Sequence, residues 1–292
     1  MLMHAHIIEP MRQRKGLSMR FFHWLTPLKR LPPEKKRDVT QRTSEKRTLA
    51  KTVTSMQERR HNLLNRVNLA PNPAITTEPV LQVYGARCRG WRGYFSLHTW
   101  IAVKPAAAKT YTVYEVTPET LVRRGRCVSI RKRVPDAHWY GAAPELLADR
   151  RGEHVGPLIE RIRNAAQDYR YANKYLMWPG PNSNTFIAHL ARVVPELELE
   201  LPCHAIGKDY LGLKLVGRPA SGSGFQLSFF GLFGILVSRV EGLELNLLGL
   251  SCGFHPFAEY VKLPLVGHIR ALRMTTEERP PTVPTGAAEI AK

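Results

Sequence analysis

Acidic residues are scarce in this chain: 24 Asp+Glu stand against 43 Lys+Arg in 292 residues, a formal net charge of +19. The excess is uneven. Residues 1–70 hold 16 Lys+Arg and 5 Asp+Glu, whereas residues 71–292 hold 27 and 19. A folded part so nearly balanced does not call for a nucleic-acid partner, and no specific one is expected. Cysteine is scarce too. Cys88, Cys127, Cys203 and Cys252 form no Cys-x-x-Cys pair, which excludes a disulfide scaffold and a zinc ribbon. Cys203-His204 and Cys252-Gly-Phe-His255 each lack a second pair at zinc-finger spacing, so neither a metal nor a cofactor is expected. No run reaches the roughly 18 apolar residues of a transmembrane helix. The basic N-terminus lacks the continuous apolar core of a signal peptide. Internal repeats are absent as well.

What the chain does have falls into three parts. Residues 1–78 read as a basic, largely disordered extension, with a helix near 44–67 and one aromatic patch, Phe21-Phe22-His-Trp24-Leu25. Arg20 and Lys29-Arg30 flank that patch, which suits an anionic membrane surface. Residues 79–270 carry the texture of a folded domain, and residues 271–292, with Glu277-Glu-Arg-Pro-Pro, that of a disordered tail. Within the domain, 80–86, 94–103 and 110–116 are rich in β-branched and aromatic residues and predict an antiparallel meander. Basic residues 123–133 predict an edge strand, Pro144–Ala148 a short helix, and 155–171 a longer one. Ser221-Gly-Ser-Gly224 predicts a flexible joint before two apolar runs, 225–237 and 242–252. Those runs predict paired strands that close the sheet, with a membrane-dipping hairpin as the alternative. Lys208-Asp209-Tyr210 predicts an exposed turn.

Chemistry is sought first at 178–194. Trp178-Pro-Gly-Pro makes a rigid turn, and Asn182, Ser183, Asn184 and Thr185 are all helix N-cap types before an apolar run. Phe186, Ile187, Leu190, Ala191 and Val194 then share one helical face. A hydroxyl on the first turn of a buried helix meets unpaired N–H groups and a dipole that favours negative charge. The same residues also serve as a plain N-cap. His98, within the second strand, shares a face with Ser96, Trp100 and Ala102, and is the candidate base. Glu115, on the next strand, is placed to orient its imidazole as a third member.

A meander bearing histidine, then a nucleophile at a helix start about 85 residues on, resembles the chain order of circularly permuted papain-like folds. Lecithin:retinol acyltransferase-like members carry Asn-Cys-x-x-Phe at that helix, and here Asn182-Ser183-Asn184-Thr185-Phe186 stands in its place. Serine for cysteine demands a well-placed base, because a hydroxyl ionises far less readily than a thiol. A longer resemblance covers about residues 80–270. Its motifs include Trp91-Arg-Gly-Tyr-Phe-Ser-Leu-His-Thr-Trp-Ile-Ala-Val-Lys-Pro105, His138-Trp-Tyr-Gly141, Trp178-Pro-Gly-Pro-Asn-Ser-Asn-Thr-Phe186, Ala205-Ile-Gly-Lys-Asp-Tyr-Leu211 and Asn246-Leu-Leu-Gly-Leu250. In these it is similar to the bacterial domain-of-unknown-function family numbered 3750, which carries no assigned activity.

The expected fold class is α+β: an antiparallel sheet packed on two or three helices, permuted papain-like, with disordered termini. Two functions are expected from it. One is an amide or ester hydrolase or acyltransferase, with Ser183 as nucleophile, His98 as base, Glu115 as orienter, and Asn182, Asn184, Thr185 and Trp178 around the ligand. The other is a catalytically inactive binding module, associated with the envelope or a membrane.

Overall fold

The structure is a computed structural model and describes Ser44 and residues 66–270. All the elements below belong to the unit Thr54–Lys292. The aromatic patch at 21–25 and the tail beyond 270 lie outside the described residues. Of the helix predicted over 44–67, only Ser44, Arg66 and Val67 are described; Ser44 is helical, and Arg66 forms a β-bridge with Ala137. Residues 66–78, assigned to the extension, are part of the folded unit. The Leu69 and Ala70 amides donate to the carboxylate of buried Asp136.

Among the described residues, two antiparallel sheets and three α-helices of more than one residue make up the α+β fold. The first sheet contains β1 (Val80–Arg87), β2 (Leu97–Lys104), β3 (Thr112–Val116), β4 (Val128–Lys132) and β5 (Glu145–Arg151), in the order β4-β3-β2-β1-β5. The predicted meander is β1 to β3, and β4 is the predicted edge strand. The helix predicted over Pro144–Ala148 is instead β5. Its Glu, Leu and Ala are good helix formers, but propensity is worth little per residue, and the open edge of β1 supplies a ladder of backbone partners, with one irregularity at Val83/Tyr84, that overrides it.

Helix α1 (Pro118–Arg124) is capped by Thr117 and stopped by Gly125 at φ 69°. Helix α2 (Val155–Gln167) and helix α3 (Ser183–Val193) pack on one face of the sheet. There Leu97, Ile101 and Val103 of β2 meet Phe186, Ile187 and Leu190 of α3 in the main core. A smaller cluster on the other face gathers Tyr84, Trp100, Ala102 and Val113 beneath Trp139. Two-residue alternation along each strand divides the residues between these cores.

The apolar runs after residue 224 do not close this sheet. They form a second sheet of seven strands in sequence order: β6 (Val216–Gly217), β7 (Phe225–Phe229), β8 (Phe233–Ser238), β9 (Gly242–Leu247), β10 (Leu250–His255), β11 (Tyr260–Leu263) and β12 (Gly267–Arg270). Tight turns cause this. Leu248 (φ 54°) and Gly249 (φ 87°) form a two-residue connection with the positive φ values that suit hairpins, so β9 pairs with its neighbour β10 rather than with a distant strand. The 221–224 segment is tied down rather than loose: Ser221 and Ser223 bond each other, Ser238 and Glu241.

Candidate functional site

The start of α3 is held by a dense lacing of side chains. Asn182 Oδ1 accepts from the Asn184 and Thr185 amides at 3.0 and 3.1 Å, and Thr185 Oγ1 accepts in return from the Asn182 amide at 3.2 Å. This reciprocal pair is a capping box. Asn182 Nδ2 donates to the Met177 and Ile206 carbonyls. Asn184 Nδ2 donates to the Leu97 and Ile206 carbonyls, and its Oδ1 accepts from Thr99 Oγ1 at 2.9 Å. Thr185 Oγ1 donates to the Gly207 carbonyl. Gly207 sits at φ 95°, and a side chain there would fall 2.5 Å from the Asn182 carboxamide, so the close approach requires glycine. The residues expected to surround a ligand therefore spend their polar atoms on the chain itself. Trp178 differs: it is 53% exposed, and its indole N–H donates to the Leu248 carbonyl. Both peptide bonds preceding Pro179 and Pro181 are cis.

Ser183 is buried at the first position of α3, and its hydroxyl makes no hydrogen bond among the described residues. His98 is not beside it. Thr99 faces α3, so His98, one residue earlier, points to the opposite side of the sheet. There its ring stacks on Trp139 with centroids 3.8 Å apart and lies 5.8 Å from Trp100. The structure thus separates the expected nucleophile from the expected base by the thickness of the sheet. Alternation correctly grouped His98 with Trp100; which of the two faces receives the helix is a tertiary matter.

Glu115 does lie beside His98, with Oε2 3.6 Å from Nε2. It is equally the partner of Arg131 at 2.8 Å and Arg133 at 3.0 Å, and Arg133 also lies over the Trp100 ring. Burial opposes the Glu115 charge, but His98, Arg133 and Arg131 outweigh it and hold the carboxyl well below its usual range. His98 moves down as well: burial disfavours the imidazolium more than Glu115 supports it. A neutral imidazole under a tryptophan and an arginine-held carboxylate make a buried polar core.

His204 lies two residues before Ile206, whose carbonyl belongs to the lacing at α3. It is buried, its Nδ1 finds no partner among the described residues, and burial, with Arg87 adding to it, pushes its pKa down to about 4. Both histidines stay neutral in the fold while the unfolded chain takes up protons near pH 6.5. Stability is therefore expected to fall as pH drops from about 6.5 towards about 4, with a slope approaching 1.4 kcal/mol per pH unit for each proton. Urea midpoints at a series of pH values check this, and His204→Gln should flatten the acid side. Equal midpoints at neutral pH and at about pH 5 would contradict it.

A second polar cluster lies under the seven-stranded sheet. Lys208-Asp209, expected in an exposed turn, are buried. The correction has a clear cause, since the sheet turns its polar face inward and these two residues complement it. Lys208 Nζ donates to Glu244 at 2.5 Å and to Asp209 at 3.3 Å; Lys262 Nζ meets Glu244 at 2.7 Å and Glu200 at 2.6 Å. Asp209 also accepts from Gln226, Asn246 and Ser251. The hollow lined by Asp209, Gln226, Glu244, Asn246 and Ser251 has no room for a water molecule. Among the described residues no three His, Cys, Asp or Glu side chains come together as metal ligands.

The outward positions of this sheet are the feature that residue-by-residue reasoning passed over. Phe225, Phe233, Ile235, Leu245, Phe254 and Ile269 are each 43–50% exposed. Their inward neighbours Gln226, Ser228, Glu244, Asn246, Ser251 and Lys262 are at most 5% exposed. The signal was in the alternating sequence Phe-Gln-Leu-Ser-Phe over 225–229.

These observations define an α+β protein of two antiparallel sheets, one cored by helices and one turned inside out. Residues 78–210 match the model of a family described as a protein of unknown function (DUF3750). The matched segment holds the first sheet, the helices and the α3 lacing, and ends before the second sheet. No curated protein and no solved structure shows significant similarity to the chain. Among the described residues no helix is long and apolar enough to cross a membrane.

Proposed function

We propose that the chain is a catalytically inactive binding module on a scaffold with the chain order of permuted papain-like folds, and that it works through its second sheet. One observation carries this reading: the sheet exposes apolar side chains on its outer face and buries charge on its inner one. A globular domain ordinarily does the reverse, and a contiguous apolar surface of this kind marks an interaction site. The hydrolase or acyltransferase reading needs a base within hydrogen-bond reach of Ser183. His98 faces away from it, and the polar groups bonded at the start of α3 are amides, carbonyls and the Thr99 and Thr185 hydroxyls.

Reaction of the full chain with fluorophosphonate and iodoacetamide probes tests the inactive state. Ser183 is expected to stay unlabelled. Ser183→Cys is expected to react more slowly than an exposed thiol, since only 4% of the residue is accessible. Labelling of Ser183 that disappears in His98→Ala would restore the catalytic reading. An amide or ester ligand would then be its substrate.

A further inference from the structure

We propose, resting on the binding-module reading, that the outer face of the seven-stranded sheet docks on an anionic lipid bilayer, with one end of the sheet entering first. Polarity along the strands supports a bilayer over a protein partner. The three turns at one end of the meander are apolar. They present Phe230 in 229–233, Leu248 in 247–250, and Leu265 and Val266 in 263–267, each 47–65% exposed. At the other end the turns hold exposed Arg239 and Glu259 and buried Glu241 and His255, together with Phe257, which is 82% exposed. A protein interface is apolar at its centre and polar around its rim. Here the apolar character runs over the face and off one edge whose turns hold no charged residue, and the charged turn residues Arg239 and Glu259 stand at the opposite edge. That gradient matches the depth profile of a membrane surface.

Strand length limits the depth. The strands have two to six residues, whereas a transmembrane strand needs about 9–11, so the sheet enters the interface without spanning it. The surroundings of the apolar turns supply the complementary charge. Trp178 bonds the Leu248 carbonyl, and Met177 beside it is touched by the Arg92 guanidinium. Arg92 belongs to the 3-10 turn Gly90–Tyr94, where Trp91 and Tyr94 are each 72% exposed. Arg87 and Arg89 precede them, both exposed, with no acidic residue between 85 and 95. Amphipathic aromatics beside arginines that have no carboxylate partner among the described residues suit the headgroup layer, the rings at the boundary and the guanidinium groups on phosphate. The anionic surface first expected at residues 1–78 would on this reading be met by the folded domain.

Flotation of the full chain with vesicles tests the proposal, using phosphatidylcholine alone and an equimolar mixture with phosphatidylglycerol. Binding to the mixture is expected to exceed binding to phosphatidylcholine by at least about tenfold and to weaken with salt. Leu248→Asp with Val266→Asp changes only exposed turn positions, and is expected to reduce binding by about tenfold or more with an unchanged thermal melt. Arg89→Glu with Arg92→Glu should remove the preference for the anionic mixture. Unchanged flotation of the turn variant would place membrane binding elsewhere on the chain and overturn the proposal. A stable dimer that ignores both vesicles, and that Ile235→Glu makes monomeric, would overturn it as well while leaving the binding-module reading intact. A monomer that binds neither vesicle would defeat both.

Discussion

Glu244→Ala is expected to lower stability by about 3–5 kcal/mol, because it takes away the carboxylate that two buried ammonium groups share, leaving Lys208 only Asp209 at 3.3 Å and Lys262 only Glu200 at 2.6 Å among carboxylates. Lys208 and Lys262 are 4% and 0% exposed and both bond the Glu244 carboxylate. Burial works against every charge in this cluster. For Lys208 the neighbouring Asp209 and Glu244 outweigh it and raise the pKa above the usual lysine value; for Glu244 the two lysines outweigh it and lower the pKa. Lys208 and Glu244 therefore stay ionised across the neutral range. Their contribution is lost as pH falls from the ordinary carboxyl value to the depressed Glu244 one, or rises from the ordinary lysine value to the raised Lys208 one. Removing one charge of each sign at once, Glu244→Leu with Lys262→Met, should cost less than the two single changes summed, since the two residues are each other's partners and Lys208 keeps Asp209. Urea unfolding of the four proteins gives the coupling. A Glu244→Ala midpoint equal to that of the parent would show that the cluster is hydrated and that the inner face of the sheet is not a true interior.

Phe186→Ala is expected to cost about 3–5 kcal/mol and Leu190→Ala about 2–5 kcal/mol. Both side chains are fully buried on the face of α3 that meets β2, and Phe186 stands edge-on to Tyr169 with centroids 4.9 Å apart. Neither cavity is easily refilled, because the helix start is fixed on three sides by Leu97, Ile206 and Gly207. Ser183→Ala at the same turn should change stability little, since its hydroxyl has no partner to lose. Denaturant midpoints for the three variants check the ranking. Equal effects at Phe186 and Ser183 would mean that the helix face is rotated.

Much of this protein follows from sequence alone. The N-cap run fixed where α3 begins, because Asn182 and Thr185 satisfy the free amides locally and need no distant partner. Helical spacing from Phe186 to Ala191 fixed its buried stripe, and β-branched and aromatic texture fixed β1 to β3. Local propensity failed at 145–151, where good helix formers met an open sheet edge and the backbone ladder won.

The decisive difference lies in the faces of the sheets. Alternation assigns side chains to two sets, but it is unchanged when the two faces are exchanged, so it never says which set meets the core. In β2 it grouped His98 with Trp100; only the packing of α3 against Leu97, Thr99 and Ile101 put that group on the side away from Ser183. In β7 to β12 it separated Phe225 from Gln226 and Leu245 from Glu244 with equal clarity. The usual preference for apolar interiors would have turned the phenylalanines and leucines inward. The buried Lys208-Asp209 pair decided otherwise, because a charged inner face is stable only where opposite charges and amides meet it at hydrogen-bond distance. The sequence determined the alternation, and the tertiary contacts alone determined its direction.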